Sequence, residues 1–345
     1  MRLAAAAVGF ALLTVGRALA GRLFARMTLA QALRGVAPTL AAVVLALGAS
    51  ELILRRVPGM ALQHIDMRRE PVRRTDPELG WDYQPGRVGH GAPAGRRTTY
   101  VLDPAGFRVA AADRPVDPTR PTVLFAGESF ILGQGLDWPQ TIPAQVEAAT
   151  GVQSANLGVE GYATDQSYLR LRRAWPAFRQ PAAVVFLVMP QIFSRNLDTD
   201  RPHLTPNLSR APENSNWRLV RVLRRAAPYR TQGEMAAGVA MTRNILAATA
   251  AMAQSKGAAM LIVVPQPRAE SPAERALRRR LLDGLGIPVV LVPLDPAWRL
   301  PNNRHPDARG AAAIAGAVTR ELRARDARFA GPQSMPGYTR TRHAQ

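Results

Sequence analysis

The stretch Pro121-Thr122-Val123-Leu124-Phe125-Ala126-Gly127-Glu128-Ser129-Phe130 decides the reading of this chain. Its first six residues form a short apolar run that ends at a glycine. That is the signature of a strand buried on both faces of a parallel sheet. Glycine then lets the chain turn sharply off the strand, leaving the Ser129 hydroxyl at the sheet edge with the next backbone N–H groups free to face a developing oxyanion. Residue 131 is isoleucine, so this is not the Gly-x-Ser-x-Gly elbow. Taken alone, a serine in such a turn also suits a helix cap.

Downstream, strand and helix patterns alternate. A helix is predicted from Thr141 as N-cap to Gly151 as C-terminal stop, followed by a weaker strand from Gln153 to Leu157. Asp165 to Phe178 reads as helix and Ala182 to Met189 as strand. Glu234 to Ala253 is a long Ala-rich helix, and Ala259 to Val264 a strand. Ser271-Pro272-Ala273-Glu274 is a capping box, Pro288 to Leu294 a fifth strand, and Asp307 to Arg323 the last helix. This order predicts a doubly wound, mostly parallel five-stranded sheet with helices on both faces, over residues 121–327, interrupted by an insertion at 200–232. Residues 58–120, rich in Pro, Gly and Arg, read as an extension of small strands and turns packed on that domain. Residues 328–345 read as a disordered tail.

The N-terminal 57 residues hold two apolar stretches. Leu3 to Gly16 is short for a span, and the true start is either Met1 or Met27. Val36 to Leu54 approaches the roughly 20 apolar residues that cross a bilayer, with Glu51 near its interfacial end and Arg55-Arg56 after it. A single-pass membrane protein with an extracytoplasmic main domain is the expectation, although arginines flank the span on both sides.

The formal net charge of +20 over 345 residues raises nucleic acid as a partner. The basic residues are almost all arginine, Lys256 being the one lysine, and they are spread along the chain rather than gathered on one arm. A solvated basic surface is therefore expected, and no nucleic-acid partner. A second reading is attraction to anionic lipid or an acidic polymer. With no cysteine, thiolate chemistry and disulfides are excluded. No metal is expected, because no histidine or carboxylate cluster has ligand spacing. No cofactor is expected either: the Gly127 to Gly135 loop has the spacing of neither a P-loop nor a dinucleotide fingerprint, which leaves a phosphate-binding module as a third functional reading.

Reactive groups in open parallel sheets collect in loops after the strands. After the second strand comes Asn156-Leu157-Gly158-Val159-Glu160-Gly161, where glycines permit close backbone approach and Asn156 is placed to brace the serine loop. Before the last helix stands Asn302-Asn303-Arg304-His305-Pro306-Asp307. A serine hydroxyl needs a base, and an imidazole titrating near neutrality supplies one.

These three blocks together resemble the SGNH hydrolases, the GDSL-type esterases and lipases. Asp76-Pro77-Glu78-Leu79-Gly80-Trp81 and Gly106-Phe107-Arg108 look like segments of its bacterial membrane-anchored members. The resemblance covers about residues 36 to 325. It implies a flavodoxin-like three-layer α/β/α sandwich, an acyl-ester substrate (small molecule, lipid or polysaccharide), Ser129 as nucleophile and His305 as base. It also implies that the N–H groups of Ser129 and Gly161 bind the oxyanion. Three positions depart from the family. Glu128 replaces an aspartate. Gln191, in Met189-Pro190-Gln191-Ile192, stands where the third-block asparagine belongs and offers a side-chain amide. Asn302 stands where the triad aspartate belongs, so that Asp295, Asp307 or a serine–histidine dyad becomes the alternative. An acyl esterase or transferase and a catalytically impaired binding or assembly protein are the two leading expectations.

Overall fold

The computed structural model describes residues 29–56, 66–198, 201–212, 219–220, 230–301 and 303–330. The chain divides into two compact units, one of Met1–Leu62 with Ser215–Ala227, the other of Gln63–Asn214 with Pro228–Gln345. The opening apolar stretch, the alternative start at Met27 and the tail from Pro332 lie outside the described residues. So do the insertion's amphipathic turns, apart from Leu219 and Val220.

The first unit contains helix α1 (Leu29–Arg56), within which Val36–Leu54 is long and apolar enough to cross a membrane, with a mean hydropathy of 1.9. Leu40, Val44 and Leu45 are exposed on it. Glu51 does not reach out as expected: its side chain is buried and Oε2 accepts the Leu219 N–H at 2.9 Å, which satisfies a carboxylate in an apolar segment.

The second unit is built on one sheet. Short strands open it: β1 (Arg73–Asp76) and β2 (Gly80–Tyr83) form a separate antiparallel pair. Then come β3 (Val88–Gly91), β4 (Thr98–Leu102) and β5 (Arg108–Val109). The alternating part follows: β6 (Thr122–Ala126), the single-turn α2 (Ser129–Leu132), α3 (Ile142–Thr150), β7 (Gln153–Asn156), α4 (Thr164–Ala174), β8 (Pro181–Leu187), α5 (Gln232–Gln254), β9 (Ala259–Gln266), α6 (Pro272–Leu282), β10 (Val289–Pro293) and α7 (Ala308–Arg325).

The sheet order is β10-β9-β8-β6-β7-β5-β4-β3. The five strands β6 to β10 are parallel and lie in the order 2-1-3-4-5 of a flavodoxin-like sheet. The expectation of five strands is corrected to eight, because β5, β4 and β3 add to the β7 edge as an antiparallel ribbon. A two-residue strand shows no periodicity, so its place in the sheet is set by pairing alone. The tail is corrected too. Ala327–Phe329 form a 3₁₀ turn and Phe329 is fully buried.

The three layers follow from the pleat. On β6, Val123 and Phe125 face a core that takes in Ile142 and Val146 of α3 and Ile314 and Val318 of α7. Leu124 and Ala126 face the opposite core, with Leu169 and Leu171 of α4 and Ile245 and Leu246 of α5. Both faces of the central strands are therefore dry, as the unbroken apolar runs require.

Candidate active site

Every loop that matters leaves the carboxyl end of a parallel strand. After β6 the chain turns at Gly127. The Glu128 side chain caps α2 by accepting the Phe130 N–H at 3.1 Å, and this presents Ser129 at the start of the turn. The Ser129 N–H finds no acceptor among the described residues. Three neighbours fix the turn from below. Asn156 Nδ2 donates to the Ile131 carbonyl at 2.9 Å while its Oδ1 accepts the Gly158 N–H at 3.0 Å. Gly158 itself is necessary, since a Cβ there would stand 2.2 Å from the Leu132 nitrogen. From the antiparallel ribbon, the buried Arg108 donates to the carbonyls of Leu132 (2.8 Å), Gly133 (2.7 Å) and Leu136 (2.6 Å), and its guanidinium lies over the Tyr100 ring. Burial pushes the Arg108 guanidinium down to about 10, and the ring of carbonyls replaces its lost hydration.

The second half of the site is the loop from Asp295 to Asp307. It closes on itself through Leu300 N–H to His305 carbonyl (3.0 Å) and Asp307 N–H to Trp298 carbonyl (3.1 Å). Leu300 is seated against the serine loop at Gly135, where any Cβ would come within 2.5 Å of the leucine. The result brings two residues 176 positions apart together: His305 Nε2 lies 2.7 Å from Ser129 Oγ. Behind the ring, Asn303 Oδ1 accepts the His305 N–H at 3.1 Å and also bonds Nδ1. An amide oxygen only accepts, so Nδ1 carries the proton and Nε2 keeps its lone pair for the serine hydroxyl. Phe130 packs beside the imidazole at 5.7 Å between ring centroids. Burial lowers the His305 pKa, opposed by the charges of Glu128 and Glu160.

The structure separates the residues marked from the sequence. Ser129 and His305 are brought together. Asn302 lies outside the described residues, and it is Asn303 that orients the ring. Asp295 is exposed and accepts the Ala297 N–H at 2.8 Å, so it sits at a turn rather than behind the imidazole. Asp307 is taken up as N-cap of α7, accepting the Arg309 and Gly310 N–H groups. Gln191 lines the same cleft as Ser129 and His305, and its buried amide has no hydrogen-bond partner among the described residues. Gly161 lies in the loop after β7, its carbonyl held by Arg201 Nη1 at 2.5 Å.

Two roles escaped sequence reading. The Glu128 carboxylate bonds the Ser129 hydroxyl directly, so Nε2 and Oε2 compete for one proton. Arg195 Nη1 sits 3.4 Å from both Glu128 Oε2 and the Tyr162 carbonyl, tying the serine loop to the loop after β7. Burial acts to raise the Glu128 pKa, but the Arg195 charge, the serine hydroxyl and His305 bring it below the ordinary carboxylate value. Asn303 did have a sequence signal: Asn two residues before a histidine forms an Asx-turn on that residue's N–H. Arg195 had none, because only the packing of the loop after β8 aims it at residue 128. Among the described residues no group of three or more His, Asp or Glu is placed to hold a metal ion.

The cleft in front of the serine has a volume of about 550 Å³. No family model and no curated protein matches the sequence. Among solved structures the chain is similar to a G-D-S-L family protein from Desulfitobacterium hafniense, at 13% identity over 58% of this chain and 98% of that one, with a TM-score of 0.38. It is similar to an acetyl xylan esterase from the rumen bacterium Butyrivibrio proteoclasticus, at 10% identity over 63% of this chain and 66% of that one, with a TM-score of 0.40. It is also similar to a member of the lipolytic protein G-D-S-L family from Veillonella parvula, at 12% identity over 59% of this chain and 99% of that one, with a TM-score of 0.37. Two of these three neighbours are G-D-S-L family proteins and the third is an acetyl xylan esterase.

Proposed function

We propose that this chain is a serine esterase or acyl transferase of the SGNH type, held to a membrane by α1 with its catalytic unit outside the cytoplasm. The observation that carries the reading is the 2.7 Å contact between His305 Nε2 and Ser129 Oγ, with the opposite ring nitrogen tied to Asn303.

In this mechanism Ser129 Oγ attacks the ester carbonyl carbon while its proton passes to His305 Nε2. The tetrahedral oxyanion is met by the Ser129 and Gly161 N–H groups and by the Gln191 amide, which has no other partner among the described residues and so suits a donor held ready for charge that develops only in the transition state. Collapse breaks the bond to the alcohol, which takes the proton from Nε2 and leaves an acyl-serine. Water or an acceptor hydroxyl then attacks, again deprotonated by Nε2, and the serine is released with its proton restored. The imidazolium formed at each step is stabilised by Glu128 on the serine side instead of by a carboxylate behind the ring. The proposed substrates are O-acyl groups on envelope polysaccharide or lipid.

The neutral Asn303 favours a second reading, a binding protein that has lost turnover, since an amide orients an imidazole but does not balance its charge. The wild-type chain, Ser129→Ala and His305→Ala are compared on 4-nitrophenyl acetate and by labelling with a fluorophosphonate. Turnover and labelling confined to the wild type support the esterase; equal rates in all three remove it in favour of the binding protein.

A further inference from the structure

The cleft is lopsided in charge. Arg195, Arg268, Arg299 and Arg304 line it against a single carboxylate, Glu128. Two of these cations are already matched, Arg195 by Glu128 at 3.4 Å and Arg268 by Glu274 at 2.6 Å. The other two are not. Arg299 Nη2 donates to the Pro267 carbonyl at 2.5 Å, but among the described residues its Nε is buried with no partner and it forms no ion pair. Arg304 is exposed and bonds no described residue. A guanidinium donor left buried and unbonded costs free energy that a ligand oxygen would recover.

Position says which part of a ligand these arginines meet. Both belong to the loop after β10 that carries His305, Arg304 being its immediate neighbour. The imidazole must hand its proton to the departing alcohol, so the alcohol portion of an ester occupies that side of the cleft. The acyl carbonyl, by contrast, points to the donors after β6, β7 and β8. We infer that the cleft takes esters whose alcohol portion carries an anionic oxyacid group, carboxylate or phosphate, seated against the forks of Arg299 and Arg304. The placement of the alcohol rests on the esterase reading; the charge complementarity rests on the unmatched arginines alone.

The test uses the full chain in a neutral detergent at low ionic strength. Hydrolysis of 4-acetoxybenzoate and of 4-acetoxyphenyl phosphate is compared with that of neutral 4-acetoxybenzamide, each divided by its rate with hydroxide. An anion preference of about tenfold in kcat/KM is expected, the size of one charge-assisted hydrogen bond. It should shrink as salt is added and fall towards one in Arg304→Gln, and further in the Arg299→Gln, Arg304→Gln double variant. Which anion is preferred separates the two sources. No preference in the wild type, or one that survives in both variants, overturns the inference. A second arm needs no turnover: calorimetry on Ser129→Ala compares 4-hydroxybenzoate with 4-hydroxybenzamide. Equal affinities there overturn the charge assignment, whereas an anion preference that Arg304→Gln removes upholds it; if the wild type at the same time hydrolyses none of the three esters, only the esterase reading falls.

Discussion

The serine turn and the histidine loop are held in opposite ways. Around Ser129, 3% exposed, the backbone is clamped by groups distant in sequence: Asn156 from β7, Gly158 from the next loop, Arg108 from the antiparallel ribbon. Around His305 the bonds are local, running from Asn303 to residue 305, from Leu300 to residue 305 and from Trp298 to residue 307. The contrast fits a division of work. On the proposed mechanism Ser129 must hold still against a developing oxyanion, which a buried clamp secures, while the imidazole swings between Oγ and the leaving group and needs only its tautomer fixed.

The largest effect expected from breaking this arrangement is at Ser129, the proposed nucleophile. Ser129→Ala should lower kcat by about four orders of magnitude or more while leaving the melting temperature within a few degrees of wild type, as read by turnover and calorimetry side by side. A change in melting as large as the change in rate would show that the hydroxyl is structural.

Arg108→Met attacks the clamp instead. Removing the cation strands three carbonyls of the serine loop in a dry site, and about 3 kcal/mol of unfolding free energy should be lost by denaturant titration. The corresponding change on the other side, Asn303→Ala, removes two local hydrogen bonds to His305, at its N–H and Nδ1, from a half-buried loop. Activity should fall by about tenfold with little change in stability. If Asn303→Ala destabilised the chain as much as Arg108→Met, the contrast between buried clamp and local loop would not hold.

The smallest expected effect is in pH. Burial holds the imidazole below its ordinary pKa of about 6.5, so the neutral, proton-accepting form persists into mildly acidic solution. The rate should be full above the ordinary value and should be lost as pH falls through a lower midpoint, read from kcat/KM. Asn303→Asp, which adds a carboxylate behind the ring, should raise that midpoint. An acid limb at or above 6.5 in the wild type would mean that the carboxylates around the ring outweigh burial.

Much of this architecture was legible in the chain itself. The apolar runs at Thr122–Ala126, Pro181–Leu187 and residues 260–265 are buried along their lengths because helices cover both faces, and that demand is written directly in composition. Caps were equally plain: Thr141 and Ser271 each accept an N–H group at the helix starts their side chains dictate. The antiparallel ribbon was not legible, because β5 spans only two residues and pairs with β7 through a single bridge. Nor was the support of the histidine, assigned to Asn302, Asp295 or Asp307, when a one-residue difference in loop register gave it to Asn303. Sequence fixes patterns that repeat along the chain, the alternation of strands and helices and the residue types a reaction needs. Tertiary structure alone decides which lone side chains meet, because contacts such as Glu128 with Arg195 or Ser129 with His305 depend on packing between segments that share no local period.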